Sequence, residues 1–157
     1  MQPIKRILCP VDFSQTSREA LAYAERLAGA QGAEVILVHA FDVPETYGLS
    51  QVRPANPKLV EQLDAIGPSL PNVPVSRVLH AGVPGEVICW LAQERECDLI
   101  VMGTHGRTGL SHLFLGSVAE HVVRHARCPV LTVRDQPAGE PSLPEPNILP
   151  LPPPAWM

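Results

Sequence analysis

Glycine and serine residues lie where a predicted strand is followed by a predicted helix. Gly103 follows the apolar residues 99–102, which are typical of a buried strand, and Gly116 and Ser117 precede residues 118–126, whose apolar spacing is helical. Glycine lets another molecule come close to the backbone, and a helix N-terminus offers free N–H groups with a partial positive charge. The residue types and their order therefore predict a phosphate-binding loop between a parallel strand and its helix.

The complete spacing of this loop is G-x2-G-x9-G-[ST], formed by Gly103, Gly106, Gly116 and Ser117. It lacks the Gly-Lys-Ser/Thr of a Walker A loop and differs from the dinucleotide fingerprint G-x-G-x-x-G. The pattern resembles the ATP-binding signature of the universal stress protein family, and the resemblance covers residues 4–134. The alternative is a glycine-rich loop that binds nothing, as in family members that have lost the pattern; here every position of the signature is filled.

The resemblance implies a nucleotide site built from strand ends and the glycine loop. Asp12 would accept hydrogen bonds from ribose hydroxyls or hold Mg²⁺ through water, and the alternative is that it caps the helix beginning near Ser14. Arg107 would bind phosphate bidentately or project into solvent. His39 would line the pocket or pack in the core. The expected nucleotide-binding residues are Pro10, Val11, Asp12, Val38, Met102, Gly103, Gly106, Arg107, Gly116, Ser117 and Val118.

Three further histidines could carry chemistry. His105 lies in the glycine loop, where it could stack on a ligand or hydrogen bond to it. His121 and His125 are four residues apart on a predicted helix, a spacing compatible with zinc. No Glu follows His121 as the metalloprotease motif requires, and the sequence offers no evident third ligand. We therefore interpret this pair as part of a solvated helix face.

Strand-like and helix-like segments alternate along residues 1–134. Strands are predicted at 4–11, 33–40, 73–80, 98–103 and 129–134, and helices at 14–30, 57–66, 86–96 and 118–126. The alternation predicts an α/β fold, a single doubly wound domain with a parallel sheet. The resemblance implies five strands in the order 3-2-1-4-5 with helices on both faces. Winding then reverses between strands 1 and 4, where ligands of open α/β sheets bind, and the loops after these strands carry Asp12 and the glycine signature.

Composition limits the classes of function. The 157 residues fit one domain, and the formal net charge of −4 gives no general attraction to nucleic acid or to an anionic membrane. No apolar run approaches the ~20 residues that span a bilayer, and the N-terminus lacks the apolar segment of a signal peptide. The cysteines form no C-x-x-C pair, and we expect free thiols inside the predicted elements: Cys9, Cys89, Cys97 and Cys128. This usage favours the reducing cytoplasm.

Residues 135–157 differ in composition from the rest and are predicted to form a separate C-terminal tail. Eight of the 18 prolines of the chain lie there, a density that excludes helices and sheet ladders and favours polyproline II. The apolar side chains of the tail could dock on a partner, on the protein's own surface or on a second subunit, and the alternative is a disordered tail without a partner.

These observations together predict a cytoplasmic ATP-binding stress-response regulator or sensor, with Mg²⁺ as a possible companion of ATP. Little or no hydrolysis is expected, because the loop offers no Walker lysine and no obvious general base. The resemblance implies a homodimer that forms through the fifth strand, residues 130–133. The alternatives are a slow ATPase on the same fold, and an interaction module in which the tail recruits a partner and the nucleotide is incidental.

Overall fold

The computed structural model describes residues 3–42, 56–105 and 115–134. Strands and helices alternate along these ranges, and each predicted element is present with its ends displaced by no more than one or two residues. None of the described helices is both long and apolar enough to cross a membrane. The elements are β1 (Arg6–Pro10), α1 (Gln15–Gln31), β2 (Glu34–Phe41), α2 (Pro57–Asp64), β3 (Val75–Ala81), α3 (Pro84–Glu94), β4 (Leu99–Gly103), α4 (Ser117–His125) and β5 (Val130–Val133).

The five strands form one parallel sheet in the order β3-β2-β1-β4-β5, which confirms the doubly wound α/β fold. In the centre of the sheet Leu8 of β1 lies opposite Ile100 of β4, while Cys9 lies opposite Leu37 of β2. The chain winds one way from β1 and the other way from β4, so the connections that leave these two strands diverge. Their carboxyl ends therefore border a crevice.

Apolar side chains cover both faces of the sheet, as expected for strands with helices on each side. One core cluster lies under α1 and α2 and the other under α3 and α4. Alternate residues of β1 point into opposite clusters, with Ile7 and Cys9 on the α1 side and Leu8 on the α3 side. Each helix contributes an apolar stripe: Ala20, Leu21, Ala24 and Ala28 from α1, Leu63 from α2, Ile88, Leu91 and Ala92 from α3, and Ala119 and Val122 from α4.

Local sequence explains where the helices begin and end. The Ser14 hydroxyl accepts a hydrogen bond from the Ser17 N–H at 3.2 Å, which caps the start of α1, and Gly32 ends the helix with a φ of 68°. A proline occupies the first turn of α2 and of α3, where its missing N–H costs nothing. The third helix therefore begins at Pro84, two residues before the predicted start.

All four cysteines are free thiols, as expected, but two of them lie outside the helices and strands. Cys97 occupies the connection between α3 and β4, and Cys128 the connection between α4 and β5. Burial raises the pKa of Cys97 to about 12 and also raises the pKa of Cys128. These thiols remain protonated at neutral pH and act as small apolar groups at the edge of the second core cluster.

Candidate functional site

Thr104 joins three elements at the carboxyl end of the sheet. Its N–H donates to the Val133 carbonyl at 2.9 Å, which continues the pairing of β4 with β5. Its own carbonyl accepts the Gly116 N–H at 2.7 Å, so the residue before α4 is held against the end of β4. The start of α4 is therefore placed beside the crevice by a backbone contact between residues twelve positions apart.

Two of the signature glycines are required by packing inside the protein. A Cβ atom at Gly116 would lie 2.9 Å from the Thr104 carbonyl oxygen, and a Cβ atom at Gly103 would lie 2.9 Å from Cγ2 of Thr16 on α1. Both distances are shorter than ordinary van der Waals contact. The lack of a side chain thus allows β4 to approach α1 and the start of α4 to approach Thr104, independently of any ligand.

The first turn of α4 presents backbone N–H groups at this edge. Gly116 is the N-cap and supplies no side-chain hydrogen bond, and Ser117 and Val118 follow as the first helical residues. The acidic residue of this turn, Glu120, has its carboxylate 2.8 Å from the Arg124 guanidinium one turn later. An N-terminus without a side-chain cap retains the N–H groups and the positive dipole end that bind anions.

Asp12 follows β1, and its carboxylate organises the turn into α1. Its Oδ1 atom accepts the Ser14 N–H at 3.0 Å, whereas the N-cap of α1 is Ser14 itself. The suggestion that Asp12 caps this helix is therefore wrong. Phe13, between them, has a φ of 67°, which is rare for an aromatic residue and is held by the turn.

His39 is a packed core histidine, the second of its two predicted alternatives. Its side chain is 8% exposed, and its Nδ1 atom donates to the Val11 carbonyl at 2.8 Å. Its ring lies 4.6 Å from the ring of Phe13, centroid to centroid. His39 thus supports the turn after β1 from the side of the first core cluster.

The two apolar residues expected to line the pocket lie deeper than the crevice surface. Val38 is 1% exposed and Met102 is 4% exposed, and both belong to the core cluster under α3 and α4. They form the floor beneath the site. Ala40, two residues beyond Val38 on the same face of β2, is half-buried. Ala40 was not among the predicted site residues. The alternation of side chains along β2 would have identified it as a residue lining the site, because Val38 and Ala40 share a face of the strand.

His105 carries a buried ring nitrogen that has no hydrogen-bond partner in the described part of the chain, its Nε2 atom. The other ring nitrogen, Nδ1, lies 2.8 Å from the Thr104 hydroxyl oxygen. Buried polar atoms of proteins are nearly always paired, so an orphan nitrogen beside the start of α4 fits a site that holds a polar ligand. Gly106 of the signature and the neighbouring Arg107 lie outside the described residues.

His125 is exposed, as predicted for a solvated helix face, whereas its neighbour His121 is half-buried. Their rings stack at 4.2 Å, and His125 Nδ1 donates to the His121 carbonyl at 2.8 Å. His121 is half-buried because its ring packs against Gly85, where an added Cβ atom would lie 2.8 Å from the ring. The described ranges contain no group of three or more His, Cys, Asp or Glu side chains able to hold a metal.

Most of the predicted site residues therefore lie at the carboxyl end of the sheet. Pro10, Val11 and Asp12 end or follow β1, and Gly103 ends β4. Gly116, Ser117 and Val118 are brought to the same edge by the contact between Thr104 and Gly116. Sequence reasoning missed Thr104 and Thr16, because a residue between signature positions or on a distant helix carries no spacing signal.

Comparisons with known proteins agree on one family. The model of the universal stress protein family matches residues 3–134. The chain is 35% identical to universal stress protein MJ0531 of Methanocaldococcus jannaschii, over 83% of this chain and 82% of that one. The structure of MJ0577 from the same organism superimposes with a TM-score of 0.68 at 31% identity, over 86% of this chain and 99% of that chain. A universal stress protein in complex with cAMP has a TM-score of 0.63 at 24% identity, over 85% and 98%.

Proposed function

The chain belongs to the universal stress protein family, and from this premise we propose that it binds an adenine nucleotide, ATP foremost, at the carboxyl ends of β1 and β4. The observation that carries the proposal is the start of α4. The Gly116 N–H donates to the Thr104 carbonyl oxygen at 2.7 Å, and the first turn of α4, which follows Gly116, has no side-chain cap. A fixed and uncapped helix N-terminus at a topological switch point is suited to phosphate.

The proposed roles follow from position. The N–H groups of Ser117 and Val118, with the Ser117 hydroxyl, bind the terminal phosphates, and His105 Nε2 is a further polar contact at this end. The Asp12 carboxylate, half-buried after β1, binds ribose hydroxyls or holds Mg²⁺ through water. Gly106, a glycine of the signature, would let the loop backbone approach the phosphates, and Arg107, the cation that follows it in the loop, would bind phosphate bidentately.

The adenine base fits the apolar part of the same edge. Pro10 and Ala40 are half-buried there, above the buried Val38 and Met102. The universal stress protein in complex with cAMP shares the fold at 24% identity. It supports the proposal only in that this architecture accommodates an adenine nucleotide. The described contacts thus support a base on an apolar floor with its phosphates at the start of α4.

We further propose that the bound nucleotide is a signal rather than a substrate, so that the protein acts as a cytoplasmic stress-response regulator or sensor. Efficient phosphoryl transfer needs a positioned water, a metal and a cation on the terminal phosphate. The two lysines of the chain are Lys5, before β1 at the opposite edge, and Lys58 on α2. His39 is 8% exposed, with its Nδ1–H on the Val11 carbonyl, so its burial keeps water from its ring.

A homodimer that pairs through β5 is part of the proposal. β5 is an outer strand of the described sheet, and such a strand leaves backbone N–H and C=O groups for pairing with another chain. Pairing two copies of the same strand also satisfies the symmetry of a two-fold interface.

Thermal unfolding of the full chain with ATP, AMP and GTP, with and without Mg²⁺, tests the nucleotide proposal. A ligand at 100 times its Kd stabilises the folded state by about 2.7 kcal/mol. At roughly 2–4 °C per kcal/mol, the midpoint should rise by about 5–10 °C with ATP and less with GTP. The Gly116→Val variant should lose this rise, because its side chain would displace the start of α4 from Thr104.

Gly67→Val is the matched control, since Gly67 has open space around its Cβ position and lies in the connection after α2. Its response to ATP should equal that of the parent chain. No rise with any adenine nucleotide in the parent chain, or an equal rise in both variants, would overturn the proposed site.

A further inference from the structure

The Nε2 atom of His105 is buried and has no hydrogen-bond partner in the described part of the chain. Leaving a buried donor or acceptor unpaired costs free energy, and native proteins pair nearly all such atoms. His105 also lies within the proposed nucleotide site, where a ligand can supply the partner. The unpaired nitrogen therefore indicates a specific contact with that ligand.

The backbone of His105 lies directly against the start of α4. The Gly116 N–H donates to the Thr104 carbonyl at 2.7 Å, and a Cβ atom at Gly116 would lie 3.7 Å from the His105 Cα atom. The imidazole is thus attached beside the helix N-terminus to which the terminal phosphates are assigned. The ribose is assigned elsewhere, to the Asp12 carboxylate after β1.

The Thr104 hydroxyl orients the imidazole. Its oxygen lies 2.8 Å from Nδ1 of His105, and Thr104 itself is 5% exposed and is fixed by its backbone hydrogen bonds to Val133 and Gly116. Within the described ranges, Nδ1 is the one hydrogen-bond partner of this hydroxyl. Donation from the hydroxyl to Nδ1 leaves the proton of the neutral ring on Nε2, and in the imidazolium form Nε2 carries a proton as well. Nε2 is therefore a donor in both forms.

A donor at this place selects an anionic ligand group. The uncapped first turn of α4 already offers backbone N–H groups and the positive end of the helix dipole. Glu120, the acidic residue of this turn, has its carboxylate 2.8 Å from the Arg124 guanidinium and is not a partner of Nε2. A phosphate oxygen held at the helix start thus matches the missing partner of Nε2 in both charge and hydrogen-bonding type.

The position of Nε2 makes this contact depend on the number of phosphates in the ligand. With the ribose at Asp12 and the terminal phosphates at α4, a triphosphate chain extends to the helix start, whereas the single phosphate of AMP stays beside the ribose. A contact made with ATP and absent with AMP changes the ratio of the two affinities. The backbone groups nearer the ribose serve both nucleotides and leave this ratio unchanged.

We propose that His105, oriented by Thr104, makes the site prefer adenosine triphosphate to adenosine monophosphate, through a hydrogen bond from Nε2 to the terminal phosphate. The inference rests on the proposed function, which supplies the nucleotide and its direction in the crevice. His105 is then a specificity-determining residue, and Thr104 is a positioning residue that acts through it.

Titration calorimetry of the full chain with ATP and with AMP, in the presence of Mg²⁺, tests the role of His105. His105→Asn keeps a polar atom near the position of Nδ1 and lacks Nε2. Its affinity for ATP should fall about 10- to 100-fold, the loss expected for one hydrogen bond to a charged group, while its affinity for AMP stays unchanged. His105→Gln, whose longer amide reaches the position of Nε2, should recover most of the loss.

A second pair of variants tests the positioning role of Thr104. Thr104→Val removes the hydroxyl with little change in volume and should lower the affinity for ATP but not for AMP. Thr104→Ser restores the hydroxyl and should restore the affinity for ATP. The control is His125→Asn, since His125 is exposed near the other end of α4 with its Nδ1 atom on the His121 carbonyl at 2.8 Å. This control should keep the ratio of affinities of the parent chain.

Failure of this inference and failure of the proposed function give different results. A parent chain that binds neither nucleotide overturns the proposed function, and the inference with it. If the parent binds AMP as tightly as ATP, or if His105→Asn weakens both nucleotides equally or neither, the nucleotide site stands and His105 does not determine its preference. A loss that His105→Gln does not recover also overturns the inference. Thermal unfolding without ligand verifies that each variant is folded.

Discussion

At the scale of single residues, Asp98 joins the amino ends of the two central strands. Its Oδ2 atom accepts the Lys5 N–H at 2.7 Å and the Arg6 N–H at 3.0 Å, while its own N–H donates to the Arg6 carbonyl at 2.9 Å. The hydrogen bonds from the backbone of Lys5 and then Arg6 stabilise the charged carboxylate and hold its pKa below the ordinary value of 3.8. The ionised form of Asp98 thus helps to hold β1 beside β4.

A pH dependence of stability follows from this lowered pKa. The folded pKa lies below the unfolded pKa, so the contribution of Asp98 is complete above the unfolded value and is lost as the pH falls through the folded value. Asp98→Asn keeps an acceptor oxygen but removes the charge. We expect it to be less stable than the parent at neutral pH and equally stable at strongly acid pH, as measured by urea unfolding across that range.

Asp64→Asn, which replaces an exposed carboxylate at the end of α2, serves as the control and should show no comparable loss at neutral pH. A difference between parent and Asp98→Asn that persists below the folded pKa would show that the hydrogen-bond geometry, and not the charge, supplies the stability.

At the scale of elements, the end of α1 depends on the backbone conformation of one glycine. Gly32 has a φ of 68°, and its N–H donates to the Ala28 carbonyl as the chain turns from α1 toward β2. Its Cβ position has open space around it, so any cost of a side chain there arises from the dihedral angle alone. The helix therefore ends where glycine permits the left-handed conformation.

Two alanine substitutions separate conformation from contact. Gly32→Ala should lower the free energy of unfolding by about 1–2 kcal/mol, because the left-handed region costs that much for a residue with a Cβ atom. Gly67→Ala, which meets the same open space without a positive φ, should be neutral or raise the free energy of unfolding by about 0.4–1 kcal/mol. Equal effects in denaturant unfolding would refute this account of the helix end.

At the scale of the whole molecule, the outer edge of β5 decides how copies of the chain could associate. The carbonyls of Pro129 and Val133 accept the N–H groups of Ile100 in β4 and of Thr104 directly after it, so every second residue from Pro129 to Val133 directs its backbone groups toward β4. Thr132, between Leu131 and Val133, therefore directs its backbone N–H toward the open edge. Pairing across this edge needs that donor.

Thr132→Pro removes the outward N–H while leaving the hydrogen bonds to β4 in place, since proline is tolerated on the open side of an edge strand. Light scattering should show a dimer for the parent chain and a monomer for this variant. Thr132→Val is the control that keeps the N–H, and it should remain dimeric. A monomeric parent chain, or a dimeric proline variant, would exclude pairing through β5.

The element pattern was predictable because its causes are local. Proline and glycine at element ends and apolar periodicity determined the order of strands and helices, and the buried alanines of α1, from Ala20 to Ala28, recur at helical spacing. The strand order 3-2-1-4-5, in contrast, could not be predicted from local sequence. It came from the family resemblance and is confirmed by the pairing of β1 with both β2 and β4, which no local pattern encodes.

By itself, then, the sequence determined the α/β alternation, the glycine-rich loop and its place between β4 and α4, because spacing along the chain carries those features. The tertiary structure decided the contacts between distant residues. Glu25 of α1 is 1% exposed, and its carboxylate accepts the Ser69 N–H. Val38 is buried below the site, and Gly116 lies in close contact with Thr104. Such contacts depend on how elements far apart in the chain pack together, and their physical origin is the close packing of the folded interior.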